Sequence, residues 1–264
     1  MKISLYTAVK DAIYYDLHAA AMLKHHLPLA DEIIVNEGYS TDDTLKVVSN
    51  IDPKIKVFQT VWEKPTGPQW GVAFKDEARR RCTGDWCIVL DADEFIPEWE
   101  FEAIRRHLER TDRTMISTQF VNFYANYRVY YKYPERIRWP FRKMNIHRNL
   151  PDIEFWGDGS NVKLRDQPFS WDASDTDFTV HHFGAVRSPS RLRQKWSFQG
   201  RAVTGRKKWL RPPAWLFKLF PHQWVDAQFM DGLALYDGEP VAAVRSDPGE
   251  FVRDGFKVMK MFDA

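Results

Sequence analysis

The residues best suited to chemistry stand at the end of one apolar run. Trp86-Cys87-Ile88-Val89-Leu90 leads directly into Asp91-Ala92-Asp93-Glu94, so a strand closes on three carboxylates. Side chains alternate along an extended chain, which predicts that Asp91 and Asp93 point the same way. Carboxylate oxygens converging at a strand end suit Mg²⁺ or Mn²⁺, hard cations that bind through a few protein carboxylates plus substrate phosphates. Such an ion would offset the charge that develops on a departing diphosphate. A D-x-D triplet alone is common; the apolar strand before this one is what makes it informative. The plain alternative is an acidic turn capping the next helix.

Other titratable groups are spread along the chain. His181 and His182 are adjacent on a short expected strand, 179–183, and face opposite sides, so one of them enters a site beside that strand. Pro151-Asp152-Ile153-Glu154-Phe155-Trp156-Gly157-Asp158-Gly159 holds three more carboxylates, with Asp158 between two glycines. Asn36 and Glu37 follow another apolar run, and Asp11 follows the first. Each also has a bland reading: a turn residue for Glu37, a helix N-cap for Asp11, a buried structural imidazole for the histidine.

These residues need elements to hold them. Up to residue 110 the pattern alternates strand and helix. Strands are expected at 2–8, 32–36, 55–58 and 86–90, and helices at 13–26, 41–48, 71–82 and from Pro97 to about 110. Thr41 is the expected N-cap of the second helix, and Gly84 stops the third. This βα alternation predicts an α/β fold with a mostly parallel sheet flanked by helices, whose ligands bind beyond the carboxyl ends of the strands. Asn36, Glu37, Asp91, Asp93 and Glu94 all fall at such ends. Beyond Met115 the pattern becomes less regular and mixed, with strands at 115–124, 127–133 and 179–183 and a helical, basic stretch after Pro189. The expectation is one continuous domain. Residues 1–112 are expected to hold the ligand beyond those strand ends, and 113–264 to complete the sheet and the site.

The 264 residues are ample for one core, and 44% hydrophobic with 28% charged residues is ordinary for a globular protein. The net charge of +2 conceals an asymmetry: ten Lys and Arg and no Asp or Glu stand between Arg187 and Trp224, together with seven large aromatics. That composition suits an interfacial anchor for an anionic membrane surface. No nucleic-acid motif accompanies it. Arg136-Ile137-Arg138-Trp139-Pro140-Phe141-Arg142-Lys143 is a second basic, aromatic stretch, suited to acceptor phosphate or sugar. Cys82 and Cys87 are the only cysteines, and no apolar run approaches a signal core or a membrane span, so a cytoplasmic setting, peripheral at most to the membrane, is expected.

Two segments together resemble a known family. Asp31-Glu32-Ile33-Ile34-Val35-Asn36-Glu37-Gly38-Tyr39-Ser40-Thr41-Asp42-Asp43-Thr44, followed by the later Asp91-Ala92-Asp93, is similar to the family 2 glycosyltransferases of the GT-A fold, bacterial type. Between them Gly71, Lys75, Asp76 and 78–84 fall where such enzymes carry a Gly, an Arg-Asn pair and an Ala-x-Gly. His182-Phe183-Gly184 with Arg187 and Lys195 resembles a downstream His-aromatic-Gly segment, and Tyr236-Asp237-Gly238-Glu239-Pro240 a late turn. The departures are Asn36-Glu37 for an acidic pair, an inserted Tyr39, and Asp76 for Asn.

The resemblance implies a metal-dependent, inverting transfer of a sugar from a nucleotide-sugar donor to a hydroxyl on a glycan, glycolipid or lipid-linked acceptor. It implies Mn²⁺ or Mg²⁺ on Asp91, Asp93 and His182. The donor would meet Thr7, Val9, Asp11, Asn36, Glu37, Lys75, Asp91, Ala92, Arg187 and Lys195. The base that takes the acceptor proton would be Asp158 or Glu154. A nucleotidyltransferase of similar fold lacks its Gly-rich loop here, since 7–12 contains no glycine. A phosphohydrolase with Asp91 as nucleophile would want Thr or Val where Phe95 stands. A carbohydrate-binding protein without catalysis leaves the acidic strand end unexplained.

Overall fold

The computed structural model describes residues 1–62, 71–132, 141–157, 159–188, 190–192, 194–195 and 232–252. The first half builds the parallel part of a sheet. β1 (Ile3–Val9), β2 (Glu32–Glu37), β3 (Ile55–Gln59) and β4 (Trp86–Val89) lie in the order β3-β2-β1-β4, all parallel. Every residue of β2 and β4 is buried, because helices cover both faces. The helices are α1 (Ala19–His26), α2 (Thr44–Ser49), α3 (Val72–Arg79) and α4 (Phe101–Arg110), with a short α5 (Ala242–Ser246) near the end.

Alternate side chains of the parallel strands feed two cores. Leu5, Val35 and Ile88 join Met22 and Leu23 of α1 and Ile104 and Leu108 of α4. Tyr6, Ile34 and Val89 turn the other way and meet Ala78 of α3. Gly84 lets β1 and β4 begin side by side: a Cβ there would stand 2.7 Å from the Ser4 backbone nitrogen and 2.8 Å from the Lys2 carbonyl oxygen.

The second half extends the same sheet. β5 (Glu94–Phe95) is two residues long, and β6 (Met115–Tyr124) and β7 (Asn126–Tyr131) form an antiparallel pair. β8 (Arg142–Arg148) lies antiparallel between β4 and β6 and so joins the two halves. β9 (Ile153–Trp156) and β10 (Asn161–Leu164) make a separate hairpin that packs Ile153, Phe155 and Val162 into the second core. β11 (Asp177–Ala185) runs parallel to β6 and antiparallel to β5, and β12 (Leu233–Leu235) flanks β7. The expected α/β architecture, parallel first and mixed later, is what is found.

Several boundaries differ from expectation for local reasons. The helix expected over 13–26 begins only at Ala19, because Asp11 and Asp16 adopt left-handed φ values of 47° and 50° and the chain between them closes as turns. Thr41 does not cap α2. Its amide and hydroxyl donate to Asp11 Oδ1 at 2.7 and 3.1 Å, and Asp42 Oδ1 accepts from the Thr44 amide instead. After Pro97 a 3-10 turn, Glu98–Glu100, precedes α4. β8 and the β9–β10 hairpin were not anticipated. The basic, aromatic stretch beyond residue 195 lies outside the described residues up to 231.

The buried histidines make stability depend on pH. His147 is fully enclosed, with Nε2 3.0 Å from the Tyr6 hydroxyl and Nδ1 2.9 Å from the Arg148 carbonyl. Burial pushes its pKa down to about 4, and burial likewise holds His26 well below the ordinary imidazole value. Below pH 6.5 the unfolded chain takes up protons that these folded imidazoles refuse. Stability is therefore complete above about pH 6.5 and is lost as the pH falls toward 4, by about 1.4 kcal/mol per pH unit for each such histidine. Urea midpoints at pH 7.5, 6.5 and 5.5 should fall in that order; equal midpoints at 7.5 and 5.5 would show that the imidazoles are not held neutral.

Candidate active site

The site forms where β4 ends. After Leu90 the chain does not continue extended: the Glu94 amide donates to the Asp91 carbonyl at 3.0 Å, closing a turn over Ala92 and Asp93. A turn thus stands where the alternation assumed an extended strand, and the two carboxylates take different partners. Asp91 Oδ1 lies 2.6 Å from Lys75 Nζ of α3, and Asp91 Oδ2 lies 3.2 Å from Lys143 Nζ of β8. Asp93 Oδ2 meets the Arg187 guanidinium and, at 3.1 Å, Lys195 Nζ. Glu94 Oε1 pairs with Lys143, while its Oε2 accepts from the Asp91 amide at 3.0 Å.

The two-residue strand β5 explains why a histidine arrives here. It pairs with β11 so that Glu94 stands opposite His182, and the Phe183 amide donates to the Asp93 carbonyl at 2.8 Å. His182 Nε2 comes 3.8 Å from Asp93 Oδ1. His181 faces away, with Nε2 3.0 Å from the Tyr236 hydroxyl, so the parity argument holds and His182 is the one at the site. Asp93, Glu94 and His182 each offer a ligand atom within 4.8 Å of the others. This set holds Glu94 and not Asp91, whereas the resemblance implies Asp91, Asp93 and His182.

The electrostatics fit a hard cation. Burial opposes ionisation of Asp91 and Asp93, yet Lys75 and Lys143 hold Asp91, and Lys195 and Arg187 hold Asp93, below the usual carboxylate range. Burial pushes Glu94 up to about 7 against the pull of Lys143. Burial pushes His182 down to about 3 in spite of Asp93, so the imidazole is neutral. Its Nδ1 lies 2.7 Å from Asn122 Oδ1 of β6. An amide oxygen only accepts, which places the proton on Nδ1 and the lone pair on Nε2, facing Asp93 Oδ1. Two acceptors aimed at one another are at ease with a cation between them.

The other expected residues are placed as follows. Thr7, Val9, Asn36 and Glu37 lie at the ends of β1 and β2 and are 0–1% exposed. Asn36 donates to the Phe74 carbonyl at 2.8 Å and accepts from Thr60. Glu37, expected to face the donor, spends its carboxylate on the Tyr39 and Ser40 amides and on Gln59, and so shapes the turn after β2. Thr7 Oγ1 is buried with no hydrogen-bond partner. Asp11 fastens Thr41, and the side chains of Val9 and Ala92 join the core. Arg187 is 1% exposed and also donates to the carbonyls of Gly184 and Tyr15, so it stands behind Asp93 rather than in the open. Lys75 and Lys195 meet Asp91 and Asp93.

Glu154 is tied across the hairpin to Lys163 Nζ at 2.7 Å and to Arg165 Nε at 3.7 Å. Asp158 lies outside the described residues; the carbonyl of Gly159 accepts from Lys75 Nζ at 3.1 Å. Lys143 and Asn122 were missed. Lys143 stood in a stretch already marked as basic, but Asn122 is an unremarkable polar residue in an aromatic strand.

Residues 17–165 match the sequence profile described as Glycosyl transferase family 2. That is more than half of the chain. The chain belongs to glycosyl transferase family 2. Among solved structures it is similar to S. aureus TarS, at 18% identity and a TM-score of 0.45, over 74% of this chain and 38% of that one. It is also similar to S. aureus TarS 1–349 in complex with UDP-GlcNAc, at 17% and 0.42, over 74% and 64%. A third is glucosyl-3-phosphoglycerate synthase from Mycobacterium tuberculosis in complex with Mn²⁺, UDP and glucosyl-3-phosphoglycerate, at 17% and 0.35, over 45% and 44%. The chain thus spans 38% of the full TarS chain and under two thirds of the other two. No curated protein matches it. The fold is the GT-A type that the resemblance implied.

Asn122 should matter through His182. Asn122→Leu removes the acceptor and is expected to redistribute the His182 proton between its two nitrogens. Losing the partner that orients a ligating imidazole weakens metal binding by about tenfold or more. Nitrogen chemical shifts of His182 and Mn²⁺ titrations check both. An unchanged tautomer in the variant would show that Asn122 does not set it.

Proposed function

We propose that this family 2 glycosyltransferase moves a hexose-like sugar from a nucleotide-sugar donor to a hydroxyl acceptor, with Mn²⁺ or Mg²⁺ and with inversion. The supporting observation is the convergence of Asp93, Glu94 and neutral His182 at the end of β4, ringed by Lys75, Lys143, Arg187 and Lys195. The residues fit a hard divalent cation, which when bound would add Lewis-acid charge to the donor diphosphate. Lys195 and Lys75 line the approach and neutralise phosphate oxygens. Lys143 restrains Asp91 and Glu94, and Arg187 holds Asp93 Oδ2 so that Oδ1 stays turned to His182.

The acceptor proton goes to a carboxylate. Asp158 remains the better candidate, because Glu154 is committed to two cations of its own hairpin. The basic, aromatic stretch 187–224 brings the enzyme to an anionic membrane surface from the cytoplasmic side; no helix among the described residues is long and apolar enough to cross one.

Titration with nucleoside diphosphates, with and without Mn²⁺, tests the donor site. Binding should need Mn²⁺ in the wild-type chain and be lost in a folded Asp93→Asn variant. Tight binding by that variant would exclude the metal role. Asp158→Asn should depress kcat and leave donor affinity nearly unchanged; an active Asp158→Asn with a dead Glu154→Gln would move the base to Glu154.

Co-sedimentation tests the membrane contact. Each basic residue near an anionic leaflet contributes about 1 kcal/mol. Binding to anionic vesicles should weaken with salt and fall when Arg206, Lys207 and Lys208 are reversed in charge. Equal, negligible binding to anionic and neutral vesicles at low salt would remove it.

A further inference from the structure

A cleft of 590 Å³ opens beside the active site where two strands part. β6 pairs with β8 through Met115 to Gln119 and with β7 through Asn122 to Tyr124, while β11 holds its other edge. The Phe120 amide still donates to the Phe141 carbonyl at 2.9 Å, and past it, at Val121, the two pairings part beside the cleft. Four aromatic residues line it: Phe120, Tyr130, Tyr131 and Phe141, the last 52% exposed. Gln119, Lys132 and Arg142 add polar groups; Gln119 and Arg142 are also tied to the Asp177 carboxylate, at 2.9 and 2.7 Å.

Two further observations give this cleft a direction. The Phe120 ring is shared with the active site: its centroid lies 5.8 Å from that of His182, and Lys143 Nζ sits 4.9 Å from it. On the other side Arg142 leads away over a run of rings. Its guanidinium lies 5.0 Å from the Trp171 ring, Trp171 abuts Phe169 at 4.8 Å, and Phe169 stacks on Trp156 at 4.3 Å. Trp156 is 43% exposed.

We propose that this cleft is the acceptor subsite and that the acceptor is a glycan chain. The proposal rests on the transferase reading and names its substrate class. The terminal sugar sits against the exposed Phe141, with the buried Phe120 behind it, and the preceding sugars run over Arg142 toward Trp156. Aromatic faces pack on the C–H face of a sugar ring, while an amide, an ammonium and phenol hydroxyls at the rim match its hydroxyls. A lipid tail would need an unbroken apolar channel, and Gln119, Lys132 and Arg142 interrupt this one. A single small aglycone would leave the Trp156 end of the track unused.

The test is oligosaccharide binding by ligand-observed NMR, with cellohexaose, chitohexaose and hexagalacturonate against their monosaccharides. At least one hexasaccharide should bind, and its monosaccharide should bind at least tenfold more weakly. Phe141→Ala and Trp156→Ala should each weaken the hexasaccharide by about tenfold, the size of one good aromatic contact. Both side chains are exposed, so folding survives their loss, and Mn²⁺-dependent nucleoside diphosphate binding should be unchanged. No hexasaccharide binding, or binding indifferent to both variants, overturns the proposal. Failure of the wild-type chain to bind any nucleoside diphosphate would instead overturn the transferase reading, and the same samples report it separately.

Discussion

Burying charge without a partner is among the largest penalties a fold can incur, and breaking a buried ion pair costs about 3–5 kcal/mol. Asp93 and Glu94 are 4% and 1% exposed, and Asp91 adds a third carboxylate within the same turn. Their four partners come from three parts of the chain: Lys75 from α3, Lys143 from β8, and Arg187 with Lys195 from the segment after β11. The acidic turn is tolerable only when all three are in place. The charge balance therefore does structural work before it does chemistry, and it draws the second half of the chain onto the first.

That constraint also explains what the sequence disclosed and what it hid. The parallel strands were legible because both faces are apolar, so Trp86 to Leu90 and Ile33 to Val35 announce themselves. β8 was not, although it is central and buried. Its sequence, RKMNIHR, carries polar groups that are each satisfied inside: Lys143 by Glu94, Asn145 by Thr118 and the Val89 carbonyl, His147 by Tyr6. Hydrophobic periodicity cannot report a strand whose buried side chains are paired rather than apolar.

The site was legible by residue type and less so by direction. Three carboxylates after an apolar strand marked the place. A single turn at 92–93 sets Asp91 against Lys75 and Lys143 and leaves Glu94 beside Asp93 and His182. Parity on β11 did select one histidine, because that strand is regular there. Asn36 and Glu37 stand at the carboxyl end of β2, yet a buried end needs its own hydrogen bonds satisfied, and both side chains serve that need first.

The count of charges says how donor and metal relate. Lys75, Lys143, Arg187 and Lys195 face Asp91, Asp93 and Glu94, so the cluster carries a surplus of positive charge even with every carboxylate ionised. A divalent cation entering alone adds to that surplus, in surroundings where burial strengthens every charge interaction. A diphosphate entering alone meets the lysines but also Asp91 and Asp93. Together the two bring nearly cancelling charges. Asp93 can serve both, since its Oδ2 is held by Arg187 and Lys195 while Oδ1 is turned toward His182. Under the proposed function the cations would then restrain the ligand residue rather than compete with a metal, and the charge count favours metal and diphosphate binding together over either alone.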